Sequence, residues 1–181
     1  MRRLTREVIP ESGVSGIVVY GVGRHFSSGA DLDDLTDAIR NANRTVDRNG
    51  ATIDSTMLMD NLRSFIFFEE LNVPVIAAVR GVCLGSGLEL ALFCHGRICG
   101  QGAVLGLPEA TFGLIPGCGG IQKIISAAGM ARTMELVLTG ASFTSEDALR
   151  WNIVDKIVPK KDVVETAINY IKELNKRRGG L

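Results

Sequence analysis

Hydrophobic positions fall in short unbroken runs rather than in polar–apolar alternation. Residues 16–20 (GIVVY) and 73–79 (VPVIAAV) are β-branched and uninterrupted, the pattern of strands buried on both faces of a parallel sheet. Each run is followed by Gly-rich punctuation and then by a helical rhythm, which is the alternation of an α/β fold. Asp33, Asp34 and Asp37 stand near the start of a possible helix, and residues 40–56 are polar and read as a loop. Residues 57–71 carry apolar side chains at 58, 62, 65, 66 and 68, a helical spacing. A further helix begins near Ser86 and runs to residue 93, with strand material over 98–105 around Gly100 and Gly102.

The second half reads as helices with marked ends. Residues 121–128 stop at Gly129, and residues 132–138 stop near Gly140; glycine takes the left-handed conformation of a C-terminal cap. Thr144 or Ser145 can cap a helix with Glu146 and Asp147 in its first turn. Asn152 tolerates the left-handed stop after it. Residues 153–158 form a short strand and 162–176 a final amphipathic helix. The expected division is a core over residues 1–159 and a C-terminal helix with a basic tail over 160–181.

Composition narrows the function classes. Twenty basic residues balance twenty acidic ones in 181, so no global field draws the chain to nucleic acid or an anionic membrane. No apolar run approaches the ~20 residues of a membrane span, and the first residues lack a signal-peptide core. Cys83, Cys94, Cys99 and Cys118 form no C-x-x-C pair and lie in apolar or Gly-rich surroundings, so they read as reduced, buried thiols. The expected compartment is cytoplasmic.

Several chemistries fail on spacing. Gly21-Val22-Gly23 follows a strand, but the third glycine of a dinucleotide fingerprint would fall on Phe26. Ser86 resembles a nucleophile elbow, yet Leu84 stands where glycine is required. The two histidines, His25 and His95, do not follow the usual order of a Ser-His-acid triad. No metal-ligand spacing is present.

Three Gly-rich segments remain: His25 to Leu32 (HFSSGADL), Gly81 to Glu89 (GVCLGSGLE), and Gly106 to Glu109 (GLPE) running on to IPGCGG at 115–120. Small residues let a ligand approach backbone N–H groups, and those at a helix start are unpaired within the helix and partly positive. Two such turns facing each other would hold a developing oxyanion. The four linked patterns F-x-x-G-A-D-[LI], P-V-I-A-A-V-x-G-x-x-x-G-x-G-x-E-L, F-G-x-P-E in its G-x-P-E part, and I-P-G-x-G-G occur in order between residues 16 and 159. In these the chain resembles the crotonase (enoyl-CoA hydratase/isomerase) superfamily.

The resemblance implies an α/β fold, a spiral of ββα units with buried parallel strands followed by C-terminal helices. It implies an acyl-CoA substrate, coenzyme A being part of that substrate and no separate cofactor being required. It places oxyanion-hole N–H groups at Ala30 and Ser86, CoA contacts at Ser28, Ala30, Asp31, Leu32, Gly85 and Ser86, and two catalytic carboxylates at Glu89 and Glu109. In hydratases of this kind one glutamate activates water and the other protonates the α-carbon. Isomerisation, dehydration, decarboxylation and hydrolysis are other reactions of the superfamily, and a non-catalytic acyl-CoA-binding scaffold is a further alternative.

Plainer structural roles compete at each position. Ser86 to Glu89 also spells a capping box, and Pro108-Glu109 an ordinary first helical turn. Gly85 and Gly87 can serve close packing alone. His25 reads as an exposed loop residue, with a CoA phosphate contact as its alternative. His95 reads as a protonated side chain beside a helix C-terminus, and Cys118 as a small packing residue. Only residues 1–15 precede the first matched strand and one helix follows the matched region that ends at Pro159. The family's opening layer is therefore expected to be reduced, and homo-oligomerisation, as trimer or hexamer, to cover apolar surface. The segment 31–74 is longer than in typical hydratases, so chain-length preference is not carried over.

Overall fold

The computed structural model of the chain describes residues 3–31 and 56–179. The helix expected near Asp33, and the loop expected over 40–56 apart from Thr56, lie outside the described residues. A π-helical turn, Leu4–Val8, runs into α1 (Ile9–Glu11). This opening element is not evident in the sequence, since its apolar positions are too few to set a rhythm. Ile9 packs against the core, while Leu4 and Val8 stay exposed.

There follow β1 (Ile17–Tyr20), α2 (Thr56–Glu69), β2 (Val75–Val79), β3 (Val82–Leu84), α3 (Ser86–Leu92), β4 (Gly96–Gly100) and β5 (Val104–Gly106). A 3-10 turn, Pro108–Phe112, leads to α4 (Gly120–Ala128), α5 (Met130–Thr139), β6 (Ser142–Thr144), α6 (Ser145–Arg150), β7 (Lys156–Val158) and α7 (Val163–Arg178). The main sheet has the order β1-β2-β4-β7 with every pairing parallel. A smaller sheet, β3-β5-β6, joins a parallel pair to an antiparallel one.

The unbroken apolar run of β2 has a direct explanation. Side chains of a strand alternate between faces. Val75, Ala77 and Val79 enter one core cluster with Leu88, Leu105 and Ile124, and Ile76 and Ala78 enter a second with Ile98, Val163, Ala167 and Ile171. The first cluster gathers α3, α4 and the small sheet; the second is closed by α7. The expectation that β1 is also buried on both faces is corrected. Among the described residues it is an edge strand of intermediate burial whose Tyr20 is exposed.

The punctuation is visible in the backbone. Gly129 and Gly140 have φ of 81° and 65°, and Asn152 (φ 58°) is the single non-glycine among the described residues with positive φ. Thr144, rather than Ser145, caps α6, its Oγ1 accepting from the Asp147 N–H at 3.1 Å. The strand material over 98–105 is two strands in different sheets, separated by a turn with Gly102 at φ 71°. The expected strand over 153–158 is confined to Lys156–Val158, with Ile153 and Val154 buried in the preceding turn.

His95 is corrected. Its Nδ1 accepts the Val75 N–H at 3.0 Å, so the proton sits on Nε2, which donates to the Glu69 carbonyl at 2.9 Å. The ring is a neutral tie between the end of α2 and the start of β2, not a cation answering a helix dipole. All four cysteines are free and buried, and burial pushes the Cys94 and Cys99 thiols up to about 12. No helix among the described residues is long and apolar enough to cross a membrane.

Candidate active site

The segment from His25 to Ala30 is laid along β3. The Phe26 and Ser27 N–H groups both donate to the Val82 carbonyl, at 3.0 and 3.1 Å, and the Leu84 N–H donates to the Ser27 carbonyl at 3.0 Å. The Val82 N–H donates to His25 Nδ1 at 3.0 Å. His25 is thus exposed, as expected, but its ring also clamps the loop to the strand. Such close approach requires small residues. A Cβ at Gly29 (φ 103°) would lie 3.2 Å from the Leu84 carbonyl oxygen and 3.7 Å from Gly85 Cα. A side chain at Gly87 would overlap that of Ser27.

Gly29 and Gly85 therefore meet backbone to backbone, and the residues that follow them are Ala30 and Ser86. Gly85 (φ 53°) donates its N–H to the Gly106 carbonyl at 2.9 Å and stands at the N-cap of α3. The Ser86 N–H, at the first helical position, has no intrahelical acceptor. Ser28, Ala30 and Asp31 are exposed on this loop and Ser86 is half-buried. Leu32 lies outside the described residues.

Glu89 is 2% exposed, and its carboxyl does not turn back to the start of its own helix. Oε1 accepts from the Cys118 N–H at 2.9 Å and from the Gly120 N–H at 3.0 Å. No side-chain cap forms at Gly85, so the capping-box reading fails. Burial raises Glu89 above the usual carboxylate range, while the donors from Gly120 and Cys118, the latter through both N–H and thiol, pull it back. Ionised carboxylates are favoured by donated hydrogen bonds and disfavoured by desolvation, and both act here.

Glu109 lies in the first turn after Pro108, as the plainer reading expected. Its Oε1 would be 3.0 Å from a Cβ at Gly85, so the carboxyl sits over the junction of the two glycine loops. Among the described residues its buried Oε2 has no hydrogen-bond partner. Desolvation raises Glu109, a bond to its own backbone N–H lowers it, and the charge of Glu89 raises it again. The two carboxyls are thus treated differently: Glu89 Oε1 receives backbone donors from a distant segment, whereas Glu109 Oε2 receives none among the described residues.

Residues 7–179 match the family model for enoyl-CoA hydratase/isomerase. The chain belongs to the enoyl-CoA hydratase/isomerase family. A fatty acid oxidation complex subunit alpha from Shewanella loihica is 37% identical over 167 residues, which are 90% of this chain and 22% of that protein. An enoyl-CoA hydratase from Bacillus anthracis superposes with a TM-score of 0.80 at 28% identity, over 96% of this chain and 64% of that one. A putative enoyl-CoA hydratase from Thermobifida fusca, solved in complex with CoA, gives 0.73 at 28%, over 90% of this chain and 62% of that one. The chain thus spans about a fifth of that curated relative and under two thirds of these solved ones.

The α/β arrangement, with a parallel sheet and C-terminal helices, is the fold of these family members. Within it Gly29 lies against Gly85 and Glu109 reaches over Gly85, Ser86 and Glu89 follow on α3, and Ser28, Ala30 and Asp31 flank Gly29 on its loop. The sequence reading placed the I-P-G-x-G-G segment among the Gly-rich segments of the site but gave its N–H groups no part in holding Glu89. A Cβ at Gly120 would lie 2.7 Å from Glu89 Cγ, and one at Gly119 (φ 88°) 2.9 Å from the Phe93 ring. Cys118 packs with Phe65 and Phe93, as expected, but also donates to Glu89. The visible signal was a glycine pair at the start of a helix, where N–H groups are unpaired.

Proposed function

We propose that this chain adds water across the double bond of an α,β-unsaturated acyl-CoA thioester. The observation that carries the reading is the unequal treatment of two neighbouring carboxyls, one supplied with donors from a distant segment and one with a buried oxygen that receives none among the described residues, beside paired glycine loops. The CoA bound to the Thermobifida fusca relative supports a CoA thioester as the substrate class.

The Glu89 carboxylate takes a proton from water as the water oxygen bonds to the β-carbon. The π electrons move toward the thioester carbonyl, whose oxygen becomes an enolate oxygen facing the N–H groups of Ala30 and Ser86. One such donor is worth about 3–4 kcal/mol of barrier in a dry site. The enolate collapses and takes the Glu109 proton at the α-carbon. Glu109 is then the anion and Glu89 the acid, and a proton must return from one to the other between turnovers. Ser28, Ala30, Asp31, Leu32, Gly85 and Ser86 are assigned to holding the CoA moiety.

The test is steady-state turnover of crotonyl-CoA, followed as loss of the conjugated thioester absorbance, in the parent and in Glu89→Gln. Turnover reduced by roughly 10²–10⁴ in the variant, the usual worth of a positioned acid–base group, is expected. Equal turnover in both would refute the role of Glu89. A parent that binds CoA thioesters without hydrating them would refute the hydratase reading.

A further inference from the structure

Two turns carry the N–H groups assigned to the thioester oxygen, and one side chain lies between them. Ser27 is half-buried. Its main chain is held on β3 from both sides: its N–H donates to the Val82 carbonyl at 3.1 Å, and its carbonyl accepts the Leu84 N–H at 3.0 Å. Its Oγ turns forward along the loop and accepts the Gly29 N–H at 3.1 Å. The same side chain fills the space that Gly87 leaves open in the first turn of α3, where a Cβ would lie 2.4 Å from Ser27 Cβ and 2.6 Å from its Oγ. We propose that Ser27 is a positioning residue for the oxyanion donors, its Oγ taking the Gly29 N–H and so aiming the Ala30 N–H that follows.

This role rests on the reading of Ala30 as a donor to the thioester oxygen. Gly29 has φ 103°, a conformation that glycine enters freely and also leaves freely, so the loop needs restraint there. On one side stand the Leu84 carbonyl oxygen and Gly85 Cα, 3.2 and 3.7 Å from where a Gly29 Cβ would be. On the other, Ser27 Oγ holds the peptide plane that precedes Gly29, and the Ala30 N–H belongs to the plane that follows it. A serine hydroxyl reaches the N–H two residues on because its stem is a single carbon. The bond also sorts the donors. Each backbone N–H needs an acceptor, and one already given to Oγ is no rival to Ala30 for the thioester oxygen.

The backing by α3 joins the two turns. Ser86 and Gly87 are consecutive residues of α3, so the side chain that restrains Gly29 packs against the helical turn that carries the second donor. A shift of Ser27 therefore reaches both N–H groups.

The experiment compares kcat and KM for crotonyl-CoA in the parent and in Ser27→Ala. Charge gathers on the thioester oxygen only as the transition state forms, so a misaimed donor lowers kcat. The expected fall is roughly tenfold to a hundredfold, less than the complete loss of a donor, with KM within about threefold of the parent's. A kcat within about threefold of the parent's overturns the proposal, as does a rise in KM that matches the fall in kcat, the mark of a loosened binding loop.

A second arm is independent of turnover. Butyryl-CoA has no double bond to hydrate, and its carbonyl stretch, isolated by isotope labelling of the thioester carbonyl and infrared difference, falls in frequency when N–H groups donate to the oxygen. The bound stretch is expected below the free one in the parent and part of the way back in Ser27→Ala. Equal stretches in the two proteins overturn the role of Ser27 and leave the oxyanion reading in place. A parent stretch no different from that of free butyryl-CoA removes the oxyanion reading and the role of Ser27 with it. If the parent binds the thioester and hydrates nothing, the hydratase reading falls, while the carbonyl stretch still decides whether Ser27 aims the donors.

Discussion

Replacing Gly120 by alanine would place a methyl carbon 2.7 Å from Glu89 Cγ and 3.0 Å from its Oε1. Ordinary contact begins at 3.4 Å, so the first distance falls about 0.7 Å short. Gly120 does not have a positive φ, so the backbone accepts alanine and the perturbation is the collision itself. The methyl meets the side chain that carries the carboxyl, which must swing away from the Gly120 N–H that now holds it at 3.0 Å. A misplacement near 1 Å costs on the order of 10²-fold in rate, which corresponds to about 2.7 kcal/mol of barrier. Overpacking of a well-filled site adds about 1–3 kcal/mol of destabilisation. The expected result is a kcat near one hundredth of the parent's, with CoA thioester affinity retained because the glycine loops are untouched. Crotonyl-CoA turnover gives the first quantity, calorimetric titration the second, and a thermal melt verifies folding. A folded Gly120→Ala protein turning over within about threefold of the parent would refute the argument that the 118–120 segment aims Glu89.

Glu109→Gln is expected to lose roughly 10²–10⁴ in kcat as the proton donor disappears. The same variant has a stability signature. Because the folded-state carboxyl is raised above its ordinary value of 4.5, the folded protein holds that proton more tightly than the unfolded chain, and stability falls as pH rises from there through the folded value. The melting temperature of Glu109→Gln relative to the parent should therefore climb between acid and neutral pH; a flat difference would contradict the burial argument. His95→Ala leaves the Val75 N–H, at a residue with 0% exposure, without its acceptor. About 1–3 kcal/mol should be lost in a urea titration, and a loss below about 0.5 kcal/mol would show that the tie is dispensable.

How much of the fold and the site is legible in the sequence depends on the range of the interaction concerned. The β2 run, the glycine stops at 129 and 140, the Thr144 cap and the left-handed Asn152 are local devices whose causes lie within a few residues, and the chain displays each where it is written. The linked glycine patterns likewise named Gly29 and Gly85, which lie against each other. Long-range contacts were another matter. Nothing near β1 tells whether a second strand covers its outer edge, and the run GIVVY reads the same in an edge strand as in a central one. His95 looked like a helix-end cation because the acceptor demand of Val75, twenty residues earlier, is visible only once the fold brings the start of β2 and the end of α2 to the ring. Cys118 looked like packing because Glu89 is 29 positions away.

The sequence by itself determined the buried β2 run and most of the helices, where those helices stop, and which small residues and carboxyls are available for chemistry, since propensity, periodicity and positive φ are properties of neighbouring residues. Tertiary structure alone decided which carboxyl receives donors from a distant segment and which keeps a buried oxygen without one among the described residues. Glu89 and Glu109 have the same side chain. Their difference comes from the Cys118 and Gly120 N–H groups that the fold carries to one and withholds from the other, because desolvation and hydrogen bonding depend on what surrounds a group in space, not on what adjoins it in the chain.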